Sequence, residues 1–186
     1  MFIAIIAEPR SGSTNLGNWF FHEKDFTVLF EPITNPSLKW FKHGESPNLW
    51  EYKTKHLLVK EIYQPNINFS ELIKVSDKII VLYRENIIEQ TQSWLNAKKT
   101  NNWSKQWAFN HDLIKNDDTQ FFTNLKNEFK KNYLDSEYFK ISYEDLYYNN
   151  AFQKVIDYLD VNGLTNKNFP IGQKYRINAN KTKKLI

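Results

Sequence analysis

The chain has 186 residues and carries 25 Lys+Arg against 21 Asp+Glu, a net charge of +4 that is too small to indicate a nucleic-acid partner by itself. The absence of cysteine excludes disulfides, thiolate metal sites and a cysteine nucleophile, and 16% aromatic residues exclude a disordered chain. No apolar run approaches the roughly 20 residues needed to span a bilayer and no positive charge precedes the first one, so one soluble, cytoplasmic domain over residues 1–186 is expected.

Phe2 to Ala7 is an unbroken apolar run and reads as a fully buried parallel strand. Glu8 to Ser13 is a loop of small and turn-forming residues, and Thr14 to His22 reads as a helix that Ser13 or Ser11 can cap. Thr27 to Phe30 is a short second strand ended by Glu31-Pro32. Residues 33 to 54, rich in Pro, Asn, Lys and Trp without a period, read as an irregular segment on the substrate side. His56 to Lys60 is a third strand, Phe69 to Val75 a short helix and Lys78 to Tyr83 a fourth strand. Ile87, Ile88, Thr91, Trp94 and Leu95 recur at helical spacing. Trp103 to Lys115 and Asp118 to Tyr133 form two further helical patterns, Tyr138 to Ile141 a last strand and Ala151 to Leu159 a last amphipathic helix. Strands alternating with helices predict a three-layer α/β/α fold around a central, mainly parallel sheet, with ligands bound beyond the carboxyl ends of the strands.

The segment Pro9-Arg10-Ser11-Gly12-Ser13-Thr14-Asn15 carries the sharpest chemistry. A buried strand runs into a small-residue loop that opens a helix, so successive backbone N–H groups and the helix N-terminus can cradle an anion. Gly12 permits close approach of the backbone, the hydroxyls of Ser11, Ser13 and Thr14 add donors, and Arg10 adds a bidentate cation. The same residues would also serve as an ordinary capped helix after a loop. Neither a Walker G-x-x-x-x-G-K-[ST] nor a G-x-G-x-x-G pattern is present, and G-x-S-x-G is absent as well.

This loop resembles the 5′-phosphosulfate loop, P-[KR]-[ST]-G-[ST]-[ST], of the sulfotransferases that use 3′-phosphoadenosine-5′-phosphosulfate (PAPS). Lys78 to Asn86, followed by Gln90 and Ser93, is similar to that family's 3′-phosphate motif, in which a strand-end Arg and a Ser of the next helix converge on one phosphate. Arg84 and Ser93 lie nine positions apart, one more than is common in animal members, which makes Gln92 a rival for the contact. The longer spacing resembles the bacterial branch that sulfates glycolipids and sugars, as does Ala97 to Trp103, which is similar to that branch's A-x-x-T-G-x-W but lacks its Gly. Ile141-Ser142-Tyr143-Glu144-Asp145-Leu146 matches the family's Y-E-D-L strand end, read as mainly structural.

The resemblance implies a P-loop-NTPase-like sulfotransferase fold and transfer of a sulfuryl group from PAPS, with PAP as product, to a hydroxyl of a carbohydrate, glycolipid or small-molecule acceptor. It implies no metal, no nucleic acid and no membrane span. Glu31, at the end of the second strand, matches the general base of the carbohydrate enzymes; a turn cap before Pro32 is the other reading of it. Lys60 resembles their catalytic lysine, or is one of 22 lysines on the surface, and Arg10 would ease departure of the 5′-phosphate. Lys174 and Arg176, in Gly172 to Arg176, resemble a basic loop that closes over the 3′-phosphate, or form a solvated tail. Trp40, Phe41, Trp50 and Tyr52 could stack on a sugar or cover the core. His22 and His56 are alternative bases or structural residues, and His43 and His111 have no supporting context.

Only three of the 25 basic residues are arginines, and they fall at Arg10, Arg84 and Arg176, each in a segment implicated in phosphate binding. The alternatives are a catalytically reduced nucleotide- or anion-binding module of the same fold, and a small-molecule kinase, which the missing Walker lysine opposes. Neither the acceptor nor the oligomeric state is specified by the sequence.

Overall fold

The computed structural model describes residues 1–34, 55–100, 116–165 and 169, with the side chains of 116–118 excepted. Trp40, Phe41, His43, Trp50, Tyr52, His111, Lys174, Arg176 and the helix expected over 103–115 lie outside the described residues.

Five strands form one sheet: β1 (Phe2–Ala7), β2 (Phe26–Phe30), β3 (His56–Ile62), β4 (Lys78–Tyr83) and β5 (Phe139–Ser142). Their order is β2-β3-β1-β4-β5, and every pairing is parallel. Residues 3 to 7 of β1 are fully buried, as its unbroken apolar run requires for a central strand covered on both faces. The strand boundaries agree with the sequence expectation to within two residues.

The helices are α1 (Ser13–Phe21), α2 (Ser70–Val75), α3 (Ile87–Thr100), α4 (Asn116–Phe129), α5 (Tyr143–Tyr147) and α6 (Phe152–Leu159), with a π-turn at Lys130–Leu134. Alternation along the strands divides the core. Ile3, Ile5 and Ala7 pack with Leu16 and Phe20 of α1 and with Leu146, Phe152 and Val155 of α5 and α6. Ala4 and Ile6 pack with Leu72 of α2 and with Leu125 and Phe129 of α4 on the other face. Trp19 meets Phe152 edge-on at 4.5 Å between ring centroids, and Phe152 stacks on Phe169 at 3.8 Å.

Two local readings are corrected. The N-cap of α1 is Gly12, in the left-handed conformation at φ 81° and with no side-chain cap, rather than Ser11 or Ser13. The Ser11 hydroxyl instead donates to the Glu8 carbonyl at 2.7 Å, which closes the preceding turn. Tyr143-Glu144-Asp145-Leu146 is not a strand end but the body of α5: β5 stops at Ser142, whose Oγ accepts from the Asp145 N–H at 3.0 Å. A Ser followed three residues later by Asp is a helix-start signal that outweighs the apolar pattern.

This topology positions the site. From β1 the chain leaves through α1 toward β2, and from β4 it leaves in the opposite direction toward β5. The crevice between the carboxyl ends of β1 and β4 is therefore the switch point of the sheet, where open α/β folds bind ligands.

Candidate functional site

Arg10 and Arg84 stand on the two sides of that crevice. The Arg10 Nε donates to Ser93 Oγ at 2.9 Å, which ties the loop after β1 to the second turn of α3. Arg84 NH1 donates to the Arg10 carbonyl at 3.2 Å, and its guanidinium lies 4.2 Å from the centroid of the Tyr143 ring. Burial, and then the neighbouring Arg84 charge, pull the Arg10 guanidinium below its ordinary value. Two guanidinium groups and a hydroxyl thus converge where the topology predicts a ligand, a donor set that suits a phosphate. The Nε of Arg84 is also buried with no hydrogen-bond partner among the described residues. Gln92, the rival of Ser93, is buried.

The loop itself is tightly shaped. A Cβ on Gly12 would lie 2.6 Å from Tyr147 Cε2 and 2.9 Å from Tyr143 Cδ2, and the Tyr147 hydroxyl donates to the Gly12 carbonyl at 2.7 Å. Glycine is required both by the positive φ and by these rings. Ser13 is buried, Thr14 is exposed at the helix start, and Asn15 follows in the first turn, where N–H groups have no intrahelical acceptor. Arg10 itself has φ 63°, a conformation that costs a non-glycine residue about 1 kcal/mol or more.

Beneath the loop lies Glu8, which is fully buried. Its Oε2 accepts from the Arg84 N–H at 3.0 Å and from Gln90 Nε2 at 3.2 Å, and it lies 3.6 Å from Lys126 Nζ of α4. Gln90 Nε2 also donates to the Pro9 carbonyl at 2.8 Å, and Lys126 donates to the Arg84 carbonyl. Burial pushes the Glu8 carboxyl above the usual range, with the Lys126 charge as the largest opposing influence. This network fixes the ends of β1 and β4 to one another. Glu144 completes the frame by accepting from the Glu85 and Asn86 N–H groups at 2.9 and 3.1 Å, at the start of α3.

Just past the end of β2, Glu31 Oε1 accepts from Lys60, which lies two residues before the end of β3. The Lys60 side chain is wholly buried and Glu31 keeps 18% of its side-chain surface exposed, so the carboxylate lies between the ammonium and solvent. Lys60 is therefore not a surface lysine. Burial lowers its tendency to hold a proton and the Glu31 charge partly restores it. Glu31 also has a positive φ, 56°, and with Arg10 makes two of the four non-glycine residues in that region among those described. The neighbouring Glu61 accepts from the N–H groups of Ile33 and Thr34 at 2.7 and 3.1 Å and from the Thr34 hydroxyl at 2.7 Å. These bonds hold the chain just after Glu31 and so set its turn.

The remaining sequence candidates separate from this edge. His56 begins β3 and His22 ends the α1 segment that returns to β2, so both lie toward the amino edge of the sheet. No group of three or more potential metal ligands occurs among the described residues, and no described helix is long and apolar enough to cross a membrane. A groove of about 390 Å³ lined by Tyr63, Asn66, Asn132 and Tyr133 involves none of the residues that form the crevice.

Sequence reading missed Glu8, Glu61 and Lys126. Lys126 left a trace, because it stands four after Phe122 and three before Phe129 on the apolar face of α4. Glu8 left another, as a charge directly continuing a fully buried strand.

No protein-family model and no curated protein matches this chain by sequence. Among solved structures it is similar to the mouse sulfotransferase SULT7A1 complexed with PAP, at a TM-score of 0.53 and 13% identity over 91% of this chain and 62% of that one. The chain thus spans less than two thirds of the length of that enzyme. The architecture, three α/β/α layers around an all-parallel five-stranded sheet, is that of the sulfotransferase fold.

Proposed function

We propose that the protein is a sulfotransferase that moves the sulfuryl group of PAPS to a hydroxyl of a carbohydrate, glycolipid or small-molecule acceptor. The observation that carries this reading is the convergence of Arg10, Ser93 and Arg84 at the crevice between β1 and β4. The Glu31–Lys60 pair stands at the same edge of the sheet. Adjacent strands lie about 4.8 Å apart, so β2 and β4 are separated by about 14 Å across β3 and β1. The cationic crevice and the carboxylate–ammonium pair therefore form two subsites, one for nucleotide phosphates and one for the reacting hydroxyl.

In this reading the loop from Arg10 to Asn15 holds the 5′ end of the donor, with Arg10 and the helix N-terminus opposing the charge of the departing phosphate. Arg84 and Ser93 hold the 3′-phosphate, and the bond between Ser93 and Arg10 favours Ser93 over Gln92 for that role. The donor supplies the sulfuryl group. Glu31 accepts the proton of the acceptor hydroxyl as its oxygen bonds to sulfur and the bond from sulfur to the 5′-phosphate oxygen breaks, leaving PAP. Lys60 keeps the Glu31 carboxylate oriented from below. Lys174 and Arg176 are proposed to close over the 3′-phosphate.

The nine-residue spacing from Arg84 to Ser93 with Gln90 between them supports the carbohydrate-type branch. Gln90 has a defined task in this structure, since it joins Glu8 to the Pro9 carbonyl.

The test is a thermal melt with PAP, followed by transfer of labelled sulfate from PAPS to a panel of sugars, glycolipids and phenols. PAP should raise the melting temperature, and Arg84→Ala should remove the shift. No shift at millimolar PAP overturns the donor assignment, whereas a shift without transfer to any acceptor identifies a binding module that has lost catalysis.

A further inference from the structure

Arg84 is held by two kinds of partner. NH1 is bound to a main-chain carbonyl, that of Arg10. NH2 donates to Glu89 Oε2 at 2.7 Å, and Glu89 is a side chain of the first turn of α3 with a third of its surface exposed, against 9% for Arg84. The Tyr148 hydroxyl donates to the same oxygen at 3.3 Å. Glu144 stands farther off, 3.8 Å from Arg84 Nε, and its oxygens are engaged by the Glu85 and Asn86 N–H groups. Of the two carboxylates paired with the Arg84 guanidinium among the described residues, only Glu89 therefore combines a direct bond to it with access to solvent.

We infer that Glu89 is a competitor of the ligand's phosphate for Arg84, and that the phosphate displaces it toward solvent. The inference rests on the donor reading above. A carboxylate and a phosphate are both acceptors of the same N–H edge, and like charges at hydrogen-bonding distance of one guanidinium repel in a site this poorly solvated. The main-chain bond through NH1 and the Tyr143 ring keep Arg84 in place when Glu89 moves. The Tyr148 hydroxyl then loses Glu89 as an acceptor and can donate to the incoming phosphate. Glu89 thus selects against occupancy of Arg84 by any group that competes less strongly than a phosphate, and sets the affinity for the 3′-phosphorylated nucleotide below what the arginines alone would give.

The opposite role is a strut, in which Glu89 merely orients Arg84. Calorimetric titration of wild type, Glu89→Gln, Glu89→Ala and Glu85→Gln with PAP and with AMP separates the two. Glu85 is an exposed neighbour and controls for net charge. The competitor role predicts that both Glu89 variants bind PAP about tenfold more tightly, with AMP affinity unchanged and Glu85→Gln near wild type. Weaker or equal PAP binding in the Glu89 variants overturns the inference, as does a gain that AMP or Glu85→Gln shares. If wild type and variants bind neither nucleotide, the donor reading fails and the inference with it.

Discussion

Arg10 Nε donates to Ser93 Oγ at 2.9 Å, so a residue of the loop after β1 is bonded to one of α3 that lies 83 positions away. The bond makes the two segments proposed to bind phosphate one unit. Their contributions to nucleotide affinity should accordingly be coupled. Arg10→Lys and Ser93→Ala should each weaken PAP binding, and the double variant should lose about 1 kcal/mol less than the sum of the single losses. Strict additivity in a titration of all four proteins would show that the two residues act separately.

Gly12→Ala should abolish the loop geometry. The new Cβ would meet Tyr147 and Tyr143 at under 3 Å on a backbone with φ 81°. A loss of about 2–4 kcal/mol in denaturant unfolding is expected, with PAP binding lost. Tyr147→Phe, which deletes the hydroxyl bond to the Gly12 carbonyl and keeps the ring, should cost about 1 kcal/mol and leave binding measurable.

Glu31→Gln should separate binding from chemistry. The PAP affinity should stay at the wild-type level while transfer falls by about 10²–10⁴, the usual contribution of a general base. The same change removes the carboxylate bonded to the buried Lys60 ammonium and should destabilise the fold by about 3 kcal/mol. Adding Lys60→Met should restore most of that stability without restoring transfer. Unchanged turnover in Glu31→Gln would assign the proton to another group.

The buried carboxyls set a pH dependence whose sign follows from their direction of shift. Glu8 and Glu61 both titrate above the usual carboxylate value, mainly because of burial. Between the unfolded and folded values the folded chain holds more protons than the unfolded one, so stability from these groups is complete at acid pH and is lost as pH rises. The melting temperature of Glu8→Gln relative to wild type should therefore increase as pH goes from about 4 to about 7. A constant difference would show that Glu8 is not shifted, and a falling one would place its shift in the other direction.

The order of strands and helices was legible in the sequence because burial on both faces leaves its mark locally. Phe2 to Ala7 and Lys78 to Tyr83 are apolar runs that only central strands require. The loop from Pro9 to Asn15 was legible for a similar reason: a strand, a glycine and a helix start are adjacent in the chain. Where local signals competed, the reading slipped. At Tyr143 to Leu146 a serine cap ended β5 and began α5, and at Gly12 a positive φ displaced the serines from the cap.

The sequence by itself determined which residues could bind an anion and on which kind of loop they sit. Only the tertiary structure decided which of them meet. The register of β2 on β3 puts Lys60 beside Phe30 and brings its ammonium to Glu31, and nothing in the spacing of 29 positions could announce that pair. The same holds for Glu8, whose partners Arg84, Gln90 and Lys126 come from β4, α3 and α4. A parallel sheet joins strand ends that are distant in sequence, and burial makes each charge brought there find a counter-charge or a hydrogen bond. Composition records the charges. The fold alone chooses their partners.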